Sequence, residues 1–101
     1  MSVFIVGGDR LGNIGNNLKK IGFVQIFHEK GRKKVKKKKD LYIPGEAGLV
    51  IVLTDYVNHN IAATIKREAK DRAVPVLYAK RSWSAISKKL EQCYWQRAGA
   101  G

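Results

Sequence analysis

The chain is poor in the residues on which several common functions depend. Cysteine occurs once, at Cys93, which excludes a disulfide scaffold. One Cys and two histidines far apart make no zinc pattern. No apolar stretch approaches the roughly 18 residues needed to cross a bilayer. The opening Met1-Ser2-Val3-Phe4 has no basic region and runs quickly into Gly7-Gly8, unlike a secretory leader. The expectation is a reduced, cytoplasmic protein. Acids are scarce too: eight Asp and Glu stand against twenty Lys and Arg, for a formal charge of +12.

The positive charge is concentrated in one place. Eight of the twenty bases lie between Lys30 and Lys39, where there is no acid, and the other twelve against eight acids leave +4. The chain as a whole has a globular composition, with 45% of its 101 residues hydrophobic, enough for one modest core. Residues 1–97 are expected to form a single α/β domain with a basic loop over 30–48, and residues 98–101 a frayed tail.

Four short apolar runs rich in β-branched residues punctuate the sequence, at Val3–Val6, Val24–Phe27, Leu49–Leu53 and Val74–Tyr78. They are continuous rather than alternating, as in strands covered on both faces. Helical stripes lie between and after them. Leu11, Ile14, Leu18 and Ile21 precede a Gly22 stop, and Ile61, Ala62, Ile65 and Ala69 follow a cap at Asn58 or Asn60. Trp83, Ile86, Leu90 and Tyr94 follow a cap at Ser82 or Ser84. Strand–helix alternation predicts a parallel sheet, and the right-handed crossover rule favours the order 2-1-3-4. The expected fold is a small three-layer Rossmann or flavodoxin-like domain.

In such a sheet ligands bind beyond the carboxyl ends of the strands. That rule gathers the polar clusters of this sequence on one edge. The first run leads into Gly7, Gly8, Asp9, Arg10 and Asn13, and the second into His28 and Arg32. The third leads into Thr54, Asp55, Tyr56, Asn58 and His59, and the fourth into Lys80, Arg81 and Ser82. These are the candidate ligand-binding residues. The opposite strand ends carry far less polar chemistry.

Gly7 to Gly12 has the glycine spacing of a P-loop, but Asn13 and Ile14 stand where its Lys and hydroxyl residue belong. The dinucleotide fingerprint fails at Asp9, which occupies its second glycine position. What remains is a glycine-rich entry to a helix, whose free N–H groups suit an anion; a tight turn that binds nothing accounts for the glycines equally well. Lys80 and Arg81 tilt the balance. Two cations at the positive end of a helix are unfavourable unless an anion neutralises them. Arg10, Arg32, Lys80 and Arg81 are expected to converge on one pocket, where Arg grips phosphate bidentately and Lys supplies a point charge.

Lys33, Lys34, Lys36, Lys37, Lys38 and Lys39 supply the nucleic-acid signal. Neutralising about six phosphates would give a salt slope of roughly −5 on duplex DNA, although runs of this kind are often only solvated surface. Tyr42 and Tyr56 are better candidates for stacking a base than Phe27 and Trp83, which also fit core patterns. The expected function is therefore a phosphate-recognising binding module with nucleic acid as its partner. Its small core and the apolar Cys93-Tyr94-Trp95 favour a homodimer. One alternative is a small enzyme or sensor acting on a nucleotide or phosphorylated metabolite, with Asp55 and His59 as an acid–base pair. Another is haem or metal binding through His28, His59, Tyr56 or Cys93.

Four motifs taken together resemble a known family. Gly-Gly-Asp-Arg-Leu-Gly-Asn (7–13), His28 with Gly31-Arg32, Leu-Thr-Asp-Tyr-Val-Asn-His (53–59) and Lys-Arg-Ser-Trp-Ser (80–84) are similar, in this order, to those of a family of small bacterial proteins known as a domain of unknown function. The resemblance covers about residues 3 to 90. It implies that the motif residues act together and supplies no activity.

Overall fold

A strand that is apolar at nearly every position belongs in the middle of a sheet, where both faces are covered. In the computed structural model, which describes residues 1–30 and 43–95, Ser2–Val6 forms such a strand, β1, with all five residues buried. Gln25–Glu29 (β2) pairs with one side of it and Ala47–Leu53 (β3) with the other, while Val76–Ala79 (β4) lies beyond β3. All pairs are parallel and the order is β2-β1-β3-β4, as the alternation of elements implied. The chain is an α/β domain built on one four-stranded parallel sheet.

Helices cover both faces. Asn13–Lys20 (α1) connects β1 to β2, His59–Asp71 (α2) connects β3 to β4, and Trp83–Lys89 (α3) follows β4 and runs into a π-helical turn at Leu90–Trp95. Successive strand residues serve opposite layers. Val3, Ile5, Leu49, Ile51 and Leu53 pack with Ile14 and Leu18 of α1 and with Ile86 and Leu90. Phe4, Val6, Val50 and Val52 pack with Ile61, Ile65 and Ala69 of α2. This double duty explains why the strands read as unbroken apolar runs. Among the described residues no helix is long and apolar enough to cross a membrane.

Several boundaries differ from the sequence expectation. The second strand reaches Glu29, so His28 and Glu29 belong to the strand and not to the loop after it. It is an edge strand with no buried residue, and it tolerates polar side chains that a central strand would not. Ile21 is 37% exposed because α1 ends at Lys20 and Ile21 is its C-cap. Gly22, at φ +119°, then reverses the chain, its N–H donating to the Lys19 carbonyl. Val74 precedes β4 rather than starting it. The expected loop over 30–48 closes early, since Ile43 is fully buried beneath α2 and β3 begins at Ala47.

The re-entry at Ile43 is tied to α2 by polar contacts. The Ile43 N–H donates to Glu68 Oε1 at 3.3 Å, while the Arg72 guanidinium donates to the Ile43 carbonyl and, at 3.2 Å, to that of Pro44. Glu68 and Arg72 are one helical turn apart, with 3.6 Å between Oε1 and Nη1. Such a tie satisfies backbone groups that would otherwise be partly buried without partners.

Candidate anion site at the carboxyl edge

The chain leaves β1 towards β2 on one side and later places β3 on the other, so the carboxyl ends of β1 and β3 mark the point where strand order reverses. Backbones diverge there and leave a crevice. Gly7 and Gly8, at φ +118° and +77°, turn the chain out of β1 at this point. The Gly7 N–H donates to the Glu29 carbonyl at 2.7 Å and the Gly8 N–H to that of Tyr56 at 3.3 Å. A Cβ on Gly7 would lie 3.0 Å from both Cβ and O of Leu53, so no side chain fits. His28 completes the clamp: its Nε2 donates to the Gly7 carbonyl at 2.9 Å. A carbonyl only accepts, so Nε2 carries the proton.

Arg81 joins the separate motifs. Its backbone N–H donates to Asp55 Oδ1 at 2.9 Å. Its side chain lies across the glycine loop, where a Cβ on Gly8 would be 3.3 Å from Cδ and Nε, and one on Gly12 would be 3.9 Å from Nη2. Nε donates to the Arg10 carbonyl at 2.8 Å, and Nη2 donates to the same oxygen. The guanidinium also stands over the Tyr56 ring, 5.9 Å from its centroid, within cation–π range. Of the five guanidinium N–H groups, these contacts use two, leaving three without a protein acceptor among the described residues.

Asp9, Arg10, Tyr56 and Arg81 line an open cleft of about 310 Å³ here. The nearby amino end of α1 has Gly12 as its N-cap, no side-chain cap and no acid in its first turn. The Ile14 N–H donates to the Leu11 carbonyl at 3.1 Å, and the helix end keeps its positive partial charge with no side chain to offset it. Asn13, the first residue of α1, is exposed. Two arginines, one aspartate and an aromatic ring thus border one concave surface, with a helix end that has no side-chain cap near Arg81, so cationic groups outnumber the one acid there.

The other candidates are distributed as follows. Asn58 caps α2 through Oδ1 to the Ile61 N–H at 2.9 Å, and Ser82 caps α3 through Oγ to the Ala85 N–H at 3.2 Å. Thr54 and His59 line a second, smaller cavity. Asp55 holds Arg81, and no hydrogen bond or ion pair among the described residues joins it to His59. Lys80 is exposed just after β4 and does not line the cleft. Arg32, Lys33, Lys34, Lys36, Lys37, Lys38, Lys39 and Tyr42 lie outside the described residues. Phe27 and Trp83 pack half-buried against the two cores, whereas Tyr56 is 53% exposed. Sequence reasoning missed Tyr78, which lines the second cavity; its one signal was a phenol in an otherwise apolar strand.

These features define a small α/β domain with an arginine-bordered cleft at its switch point. The chain belongs to the bacterial family described as uncharacterized proteins conserved in bacteria (DUF2325), whose model matches residues 2–93. No curated protein and no solved structure matches it.

Proposed function

We propose that the chain is a binding module for phosphate groups, which it holds between Arg10 and Arg81, and that nucleic acid is the partner carrying them. The observation behind this reading is the hydrogen-bonding capacity that Arg81 leaves unused among the described residues, beside an end of α1 with no side-chain cap. A guanidinium fork matches two phosphate oxygens, and charge-assisted bonds of this kind are about twice as strong as neutral ones. Tyr56 offers an exposed ring to a base on the same strand. The lysine run adds attraction that does not depend on base sequence.

Binding is favoured over turnover by a specific contact. Asp55, the acid of the alternative acid–base pair, accepts from the backbone of Arg81 and so belongs to the scaffold of the cleft. The same reading has the module act in the cytoplasm as a homodimer joined through its apolar carboxyl-terminal residues, which sedimentation velocity on the purified chain tests.

Fluorescence anisotropy with a labelled short single-stranded oligonucleotide tests phosphate recognition. Arg10→Ala should weaken binding roughly tenfold or more, the loss of about 1.5–3 kcal/mol from a charged hydrogen bond. Lys88→Ala, on α3 and away from the cleft, should change it far less. Equal losses for both variants would reduce the cleft to a bystander in a diffuse electrostatic attraction.

A further inference from the structure

The cleft has a neighbour. On the α2 side of the sheet, Val52, Val57 and Ala62 form an apolar floor, and Thr54, His59 and Tyr78 a polar rim, around a cavity of about 180 Å³. Tyr78 pairs in register with Val52, so the two share a sheet face. Val52 is fully buried under α2, but Tyr78 is 39% exposed. The helix covers β1 and β3 and leaves the carboxyl end of β4 open, with an aromatic ring at its border.

One loop serves both concave surfaces. Tyr56 lines the arginine cleft, and Thr54 and Val57 line the second cavity. Tyr56 and Val57 are consecutive, with Cα atoms about 3.8 Å apart, so the same loop borders both sites, and a ligand that fills both with an anionic end and an apolar planar end has to straddle that loop. We infer that the second cavity takes an unpaired nucleobase, that of the nucleotide whose phosphate lies between Arg10 and Arg81. The inference rests on the phosphate reading and narrows it. The Val57 side chain and the Tyr78 ring offer an apolar face to a flat ligand, and hydroxyl and imidazole groups match the donors and acceptors on a base edge. A base within a duplex offers neither its face nor its pairing edge, so the recognised nucleotide is single-stranded or free.

A labelled short oligouridylate and its abasic counterpart separate the two parts of the account. Tyr78→Ala should weaken the base-bearing strand roughly five- to hundredfold, the range expected for loss of one base–aromatic stack. It should leave the abasic strand unchanged, while Arg10→Ala weakens both. Tyr78→Leu keeps an apolar side chain in the strand and removes the ring with its hydroxyl, and should behave like Tyr78→Ala. Uridine monophosphate should raise the melting temperature saturably in the wild type and less in Tyr78→Leu if a free nucleotide suffices; an equal rise in both would overturn the base pocket. So would wild-type binding of the abasic strand as tight as that of the base-bearing one. If Arg10→Ala changed neither strand while Tyr78→Leu still weakened only the base-bearing one, the phosphate reading would fail and the pocket would stand. No binding of either strand would overturn both.

Discussion

Arg81 and Gly8 occupy each other's space: a Cβ on Gly8 would lie 3.3 Å from both Cδ and Nε of Arg81. The glycine therefore does two things. It allows the left-handed turn at φ +77°, and it leaves room for the arginine to cross the loop and reach the Arg10 carbonyl. Loop shape and arginine position are one feature, set by residues 73 positions apart in the sequence.

Gly8→Ala breaks that feature. A left-handed conformation costs a non-glycine residue about 1–3 kcal/mol, and the added methyl displaces Arg81. Urea denaturation should show a loss of this size. Phosphate binding by the remaining folded protein should fall as well. An unchanged midpoint together with unchanged binding would mean that the loop relaxes without involving Arg81.

Asn58→Ala should cost about 1 kcal/mol, because Asn58 Oδ1 caps α2 by accepting from the Ile61 N–H at 2.9 Å. Asn58→Ser, which keeps a side-chain acceptor, should recover much of the loss in thermal melts. Equal destabilisation by both substitutions would assign the effect to something other than the cap.

Arg72→Ala should loosen the re-entry of the chain at Ile43. Arg72 donates to the carbonyls of Ile43 and Pro44, and Glu68 accepts from the Ile43 N–H. Amide hydrogen exchange at Ile43 should accelerate while exchange in β1 is unaffected. Protection at Ile43 equal to the wild type would show that burial of its side chain is enough to hold the segment.

Replacing Lys36, Lys37, Lys38 and Lys39 by Gln should reduce the salt dependence of nucleic-acid binding. On a single strand, four lost phosphate contacts lower the slope of log K against log salt by up to about 3. The effect of Arg10→Ala, measured at one salt concentration, should persist in this background. Loss of the Arg10 effect would merge the two positive surfaces into one.

Much of this architecture was legible because strand burial and helix periodicity are local properties. The continuous run Leu49–Leu53 reads as a strand covered on both faces, and Ile61, Ala62, Ile65 and Ala69 as a helical stripe; in the structure the run is a buried strand and Ile61, Ile65 and Ala69 are the buried face of α2. The end of β2 was not legible, since an edge strand half open to solvent places few demands on residues such as His28 and Glu29. The gathering of Gly8, Arg10, Tyr56 and Arg81 followed from the rule for strand ends. The acceptor for Arg81 did not, because the Arg10 carbonyl is a backbone group whose direction depends on the turn at Gly8. The contact between His28 and Gly7 depends on strand register, which pairs Ile5 with His28. The Glu68–Arg72 tie was missed because an i,i+4 charge pair on a helix usually means an exposed surface; here it faces backbone groups from a distant segment.

The central claim is that an anion seats between Arg10 and Arg81. A nitrogen-15 NMR titration with inorganic pyrophosphate, following backbone amides and arginine Nε–H signals together, tests it most directly. The account predicts saturable shifts at Gly8, Asp9, Arg10, Gly12 and Asn13 and at the Arg81 side chain, all abolished or greatly weakened by Arg10→Ala. Shifts confined to the lysines of residues 30–39, or equal shifts in the wild type and Arg10→Ala, would contradict it.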